Sequence, residues 1–193
     1  MSKDPSTFVI SKRTGVLAGL LVLALLMLNA ALIVQNKKLR ASLATNKSPI
    51  LEEGVLVPSL SGVDVDGKEF TLDFGADPRK VLIFVFSPRC GYCTQNMPNW
   101  SVIAKRLDRR SFRIVAVSTL SEGVREYIGK HGLTDVQVIS EVDPKTRVSY
   151  EMNVTPQTIL VDPHGRVEKI WTGVLQQNEL TEVSRSLNLN LPT

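Results

Sequence analysis

The chain holds two cysteines, Cys90 and Cys93, inside the stretch SPRCGYCTQNMP (87–98). Two thiols at this spacing could form a redox pair, half of a metal site, a haem attachment point or a structural staple. Zinc needs four ligands. The two histidines, His131 and His164, stand before a helix-stop glycine and in a turn, without ligand spacing, and both read as plain surface residues. Haem attachment needs His directly after the second cysteine, where Thr94 stands. A staple closing so small a loop gains little entropy. What the spacing does supply is a pair that can cross-link across the first turn of a helix. The first sulfur then lies among free N–H groups at the positive end of the helix dipole, which stabilise a thiolate. The second, one turn in, can resolve a mixed disulfide. Cys90 is therefore expected as nucleophile and Cys93 as resolving thiol. Arg89 is expected either to depress the Cys90 pKa by its charge or to be a solvated loop cation. The electrons would reside in the sulfurs, so neither a metal nor a bound cofactor is implied.

The surrounding elements must hold this pair in place. KVLIFVF (80–86) is a continuous apolar run rich in β-branched and aromatic residues, which predicts a strand buried on both faces. The cysteines follow it and open a helix with Met97, Trp100, Ala104 and Leu107 at helical spacing, so Trp100 reads as core. FRIVAVS (112–118) and VQVIS (136–140) read as further strands. SEGVREYIGKHG (121–132) reads as a helix with Ser121 as possible N-cap and Gly132 as stop. LSGVDVDGKEFTL (60–72) carries Asp66-Gly67 between alternating runs, a hairpin signal. QTILVD (157–162) and VEKIWTG (167–173) flank Asp162-Pro163-His164-Gly165, which suits a type I turn and a second hairpin. QQNELTEVSRSLN (176–188) predicts a closing amphipathic helix. Hairpin, β-α-β-α-β, short helix, hairpin, helix is the order of an α/β fold layered on one mixed sheet.

A separate element precedes this domain. GVLAGLLVLALLMLNAALIV (15–34) has Asn29 as its one polar side chain, and a helix of that length spans about 30 Å, the thickness of a bilayer core. A cleaved signal peptide needs a small-x-small site; at LNA (28–30) Leu28 occupies the small position. An uncleaved transmembrane anchor is expected over 15–34, after a short tail (1–14) and before a polar stalk (35–49), helical at its start. Residues 50–193 are expected to form one folded domain. Lys12 and Arg13 on one flank and Lys37, Lys38 and Arg40 on the other balance each other, so the positive-inside rule leaves orientation open. A short tail before a large domain favours translocation of the domain, which would put it on the extracytoplasmic side of the inner membrane. The first 49 residues hold seven of the 23 Lys+Arg and one of the 19 Asp+Glu, leaving 16 basic and 18 acidic residues in 50–193. The basic excess sits where lipid head groups are anionic. The domain itself lacks the basic excess that nucleic-acid binding requires.

From these residues the chain resembles the membrane-anchored bacterial thioredoxin-like proteins of the TlpA/ResA-type redoxin family of thiol-disulfide oxidoreductases, the group that includes cytochrome c maturation proteins. The likeness covers about 50–193. It rests on VDVDGKEFTL (63–72), on VLIFVFSPRCGYC (81–93), on Pro98 in the first helix after the cysteines, and on YEMNVTPQTILVDPHGRV (150–167). It implies a thioredoxin-like fold with a central mixed sheet, helices on its faces and an N-terminal hairpin extension. It implies that Pro156 is cis and lies against Cys90, and that Thr155 offers backbone hydrogen bonds to an extended client segment. Its partners would be a client protein with a disulfide or cysteine pair, and a membrane thiol-disulfide protein that resets Cys90 and Cys93. The departures are Arg89 where relatives usually carry Trp, and Asn96 where many carry an acid as proton acceptor for the second cysteine. The CGYC loop does not by itself set the direction of electron flow.

Two rivals remain at the level of sequence. A peroxide-reducing redoxin shares the leading hairpin and buried strand, but its nucleophile follows a Thr at the place where Ser87 stands. A membrane-tethered chaperone or assembly factor would hold cysteine-containing clients without turning them over.

Overall fold

Alternating side chains along one strand must face both sides of a sheet, and the apolar run at 80–86 leaves neither side to solvent. The computed structural model describes residues 12–45 and 51–189; the expected tail up to residue 11, the stalk residues 46–49, and residues 50 and 190–193 of the expected domain lie outside the described residues. In order, the elements are α1 Lys12–Thr45, β1 Leu60–Asp64, β2 Glu69–Leu72, β3 Lys80–Phe86, α2 Gly91–Arg106, β4 Phe112–Ser118, α3 Val124–His131, β5 Gln137–Val142, α4 Pro144–Ser149, β6 Gln157–Val161, β7 Val167–Thr172 and α5 Gln177–Ser186. Helix α1 and the remainder form separate units.

The seven strands form one mixed sheet in the order β2-β1-β5-β4-β3-β6-β7. Strands β3, β4 and β5 run parallel, whereas β6 and β7 complete the sheet antiparallel on one side and the β1–β2 hairpin does so on the other. This is a thioredoxin-like α/β fold with an added N-terminal hairpin. Central β3 separates two cores. Leu82, Phe84 and Phe86 face Cys93, Met97, Trp100 and Ile103 of α2. Val81, Ile83 and Val85 face Leu60, Tyr150, Met152 and Ile159. Trp100 is fully buried, stacks on Phe84 with ring centroids 4.9 Å apart, and donates its indole N–H to Thr158 Oγ1 at 2.8 Å. It belongs to the core, as its helical spacing predicts, and to no exposed face.

Two local expectations need correction. Ser121 does not cap α3. The helix starts only at Val124, after Gly123 adopts a left-handed conformation at φ 74° that breaks the helical path from Ser121. His131, expected on the surface, is partly buried with its ring 4.7 Å from that of Tyr127. Gly132 does stop α3, at φ 72°.

The residues before β1 are sewn to the far edge of the sheet. Gly54 N–H donates to Val167 O at 2.7 Å, Val167 N–H to Val55 O at 2.9 Å, and Val57 N–H to Gly165 O at 2.8 Å. Lys169 on β7 pairs with Glu53 and with Glu182 of α5, each at 3.1 Å.

Helix α1 is continuous beyond the apolar run: the polar residues 35–45 prolong it without a break. Its segment Gly19–Lys37 has a mean hydropathy of 2.0, long and apolar enough to cross a bilayer.

Replacing Trp100 by Ala removes the stacked ring and leaves Thr158 without its donor. We expect a loss of about 3–5 kcal/mol, read from the shift in urea midpoint of the purified chain. A loss below about 1 kcal/mol would show that the core closes without this contact.

Candidate active site

Strand β3 delivers the chain to the sheet's C-terminal edge, and Ser87-Pro88-Arg89 turns it into α2. Cys90 N–H donates to Ser87 O at 3.0 Å, which fixes this turn. Cys90 is the N-cap of α2, in extended conformation, and its Sγ accepts the N–H of Cys93 at 3.2 Å. The sulfur thus takes the place usually filled by a Ser or Asp oxygen at a helix start. Cys90 is partly exposed, Cys93 is buried, and both are free thiols.

The two sulfurs titrate apart. Burial raises the Cys90 pKa, but hydrogen bonds from the Cys93 thiol, the Thr155 side chain and the N–H groups of Cys93 and Tyr92 outweigh it, and the net shift is downward from the ordinary thiol value. Cys93 goes the other way: burial, then its bond to Cys90, push it up to about 12, against partial relief from the Ser87 N–H and Thr155. Of the two, Cys90 is therefore the more readily ionised, and Cys93 is the one that holds its proton.

Thr155 and Pro156 reach the pair from the loop before β6. Their peptide bond is cis, and the Thr155 carbonyl accepts from the Cys90 thiol at 3.7 Å. The structure thus brings together Cys90, Cys93, Thr155 and Pro156, which lie 65 residues apart between Cys90 and Thr155. Arg89 adjoins them, but its exposed guanidinium pairs with the Glu122 carboxylate, and the hydrogen bonds just named account for the Cys90 shift without it.

Three neighbours complete the site: Tyr127, which sequence reading does not single out, and Ser87 and Asn96, which it gives only as departures from a relative's Thr and acid. The Tyr127 hydroxyl bonds Thr94 Oγ1 at 3.2 Å and its ring stacks on Phe86; burial raises its pKa, as do the nearby cysteines, against the Thr94 bond. The only sequence signal was the helical spacing that turns Tyr127 inward with Val124 and Ile128. Ser87 supplies the turn and an N–H. Asn96, fully buried, accepts from Leu175 N–H and Asn99 Nδ2, each at 3.0 Å. It ties α2 to the loop after β7, a structural task in the place where relatives of the chain were expected to carry an acid. Among the described residues no three His, Cys, Asp or Glu side chains gather as a metal-ligand set.

The Redoxin family model matches residues 52–187. The chain belongs to the Redoxin family. It is 25% identical over 133 residues to a thioredoxin-like protein of Haemophilus influenzae, covering 66% of this chain and 74% of that one. It is 23% identical over 130 residues to the thiol-disulfide oxidoreductase ResA of Bacillus subtilis, covering 66% and 72%. Among solved structures, the thioredoxin domain of a thiol-disulfide oxidoreductase from Bacteroides vulgatus superposes with a TM-score of 0.53 at 20% identity, covering 72% of this chain and 99% of that one. A peroxiredoxin-like protein from Aquifex aeolicus gives 0.56 at 16% identity, covering 72% and 89%. These structural likenesses bear on the fold, which both chemistries share.

The split titration has a direct test. With iodoacetamide, Cys90 should alkylate with a midpoint below that of an ordinary thiol, while Cys93 should react only as pH approaches about 12. The rate falls as pH drops through the Cys90 midpoint because the thiolate is lost. Arg89→Ala should leave that midpoint in place; Thr155→Val should raise it. Equal reactivity of both thiols at neutral pH would contradict the assignment.

Proposed function

We propose that this thiol-disulfide oxidoreductase reduces disulfides of client proteins from a membrane tether, with its thioredoxin-like domain on the extracytoplasmic side of the inner membrane. The observation that carries the reading is the Cys90 sulfur at the N-cap of α2, partly exposed and backed by a buried thiol.

The cycle follows from that asymmetry. Cys90 thiolate attacks one sulfur of a client disulfide; a Cys90–client S–S bond forms and the client's other sulfur leaves as thiolate. Cys93 then attacks Cys90 Sγ, its proton passing to the departing client sulfur, and the mixed disulfide breaks. The client gains two electrons and Cys90–Cys93 becomes a disulfide. A membrane thiol-disulfide partner supplies two electrons to reset it.

The client segment lies extended beside Thr155 and Pro156. Tyr92, two residues after Cys90, is 66% exposed and Val154, next to Thr155, is 48% exposed, so each stretch of the site offers the segment an apolar side chain. An apocytochrome with oxidised haem-attachment cysteines is one such client. The tether is α1, whose apolar segment can cross the bilayer; its basic flanks meet lipid head groups.

The potential of the Cys90–Cys93 couple, equilibrated against thiol buffers, decides direction. A value near about −270 mV or lower fits a reductant, and one near about −120 mV overturns that reading in favour of an oxidant. Cys90→Ser should abolish insulin reduction, whereas a holdase would keep its client protection. Peroxide should be consumed no faster than by free thiol.

A further inference from the structure

The geometry points to a second copy of this chain as the partner of α1: the anchor is a parallel two-stranded coiled coil, and the protein is a membrane dimer. This rests on the reading of α1 as a transmembrane helix.

The helix is longer than a lone anchor requires. Its 34 residues extend about 51 Å at 1.5 Å per residue, against a hydrocarbon core of about 30 Å. Around Asn29 a seam with a repeat of seven places Val22, Asn29 and Asn36 at a positions and Leu25 and Leu32 at d positions, with Lys37 at b.

Asn29 makes the seam costly to leave unpaired. One amide N–H bonds back to Leu25 O at 3.1 Å. The amide oxygen and the other N–H have no partner among the described residues, in a segment that lies within hydrocarbon. An amide is donor and acceptor at once, so two copies of Asn29 facing each other across a two-fold axis satisfy both. Copies inserted in the same direction are necessarily parallel. Leu at d with Val and Asn at a is the pattern that selects two parallel strands.

The helix surface also carries the receiving shape. Asn29, Leu32, Ile33, Asn36 and Lys37 border one hollow. The first four occupy positions a, d, e and the next a, the set that receives a partner's d-position Leu32 as a knob, and Lys37 stands beside them at b.

The test uses the full-length chain in isolated membranes, with Cys90→Ser and Cys93→Ser to silence the native thiols. Single cysteines are placed by Leu25→Cys, Leu32→Cys, Met27→Cys or Val34→Cys, and cross-linked by mild oxidation. Dimer should form readily at 25 and 32 and poorly at 27 and 34, which face away from the seam. Separately, Asn29→Leu should weaken association about three- to thirty-fold, measured by energy transfer between labelled copies, with insulin reduction unchanged. Equal cross-linking at all four positions, or none, in chains that resist alkaline carbonate extraction would overturn the dimer while leaving the anchor intact. Release of the chain by carbonate would overturn the anchor and the dimer together.

Discussion

The bond from the Cys93 N–H to Cys90 Sγ is the constraint on which the site depends. A helix begins with N–H groups that no backbone acceptor within the helix can reach, and here a sulfur receives one of them. That contact caps α2 and stabilises negative charge on the atom that must attack. It holds only if both sides of the junction stay put. β3 is locked between two cores and two hydrogen-bonded neighbours. Helix α2 is pinned by Trp100 against Phe84 and Thr158, and by Asn96 and Asn99 against the backbone of Leu175.

Burial divides labour between two chemically identical groups. Each sulfur loses water on folding, yet Cys90 regains more than the loss from hydrogen bonds, and Cys93 does not. In the proposed cycle the partly exposed Cys90 sulfur meets the client first, and the buried thiol keeps its proton until the mixed disulfide brings an electrophile within reach. Thr155 is part of this balance because its side chain serves both sulfurs.

Much of this was readable from residue type and spacing. The run at 80–86, the paired cysteines after it and the Asp-Pro-His-Gly turn are local patterns with local causes, and they led to the strand, the N-cap and the β6–β7 hairpin. The meeting of Thr155-Pro156 with Cys90 depends on β6 folding back beside β3, which no local pattern encodes; resemblance supplied it. The pairing of Arg89 with Glu122 depends on how the loop before α3 leaves β4. The misplaced start of α3 has the same origin, since a left-handed glycine is invisible to a rule that looks for a polar cap. Asn96 read as an absent acid, but a buried amide gripping the Leu175 backbone is a feature of packing.

The stitching of residues 53–57 onto β7 bears on solubility. An open sheet has two rims of unsatisfied backbone groups, each a template for a stray strand. At one rim the start of β7 is already occupied by the chain's own leading segment, and Lys169 is held there between two carboxylates. The other rim is β2, four residues long and bearing Glu69. The protein thus leaves a partly exposed sulfur accessible while both rims of its sheet carry features that discourage a stray strand.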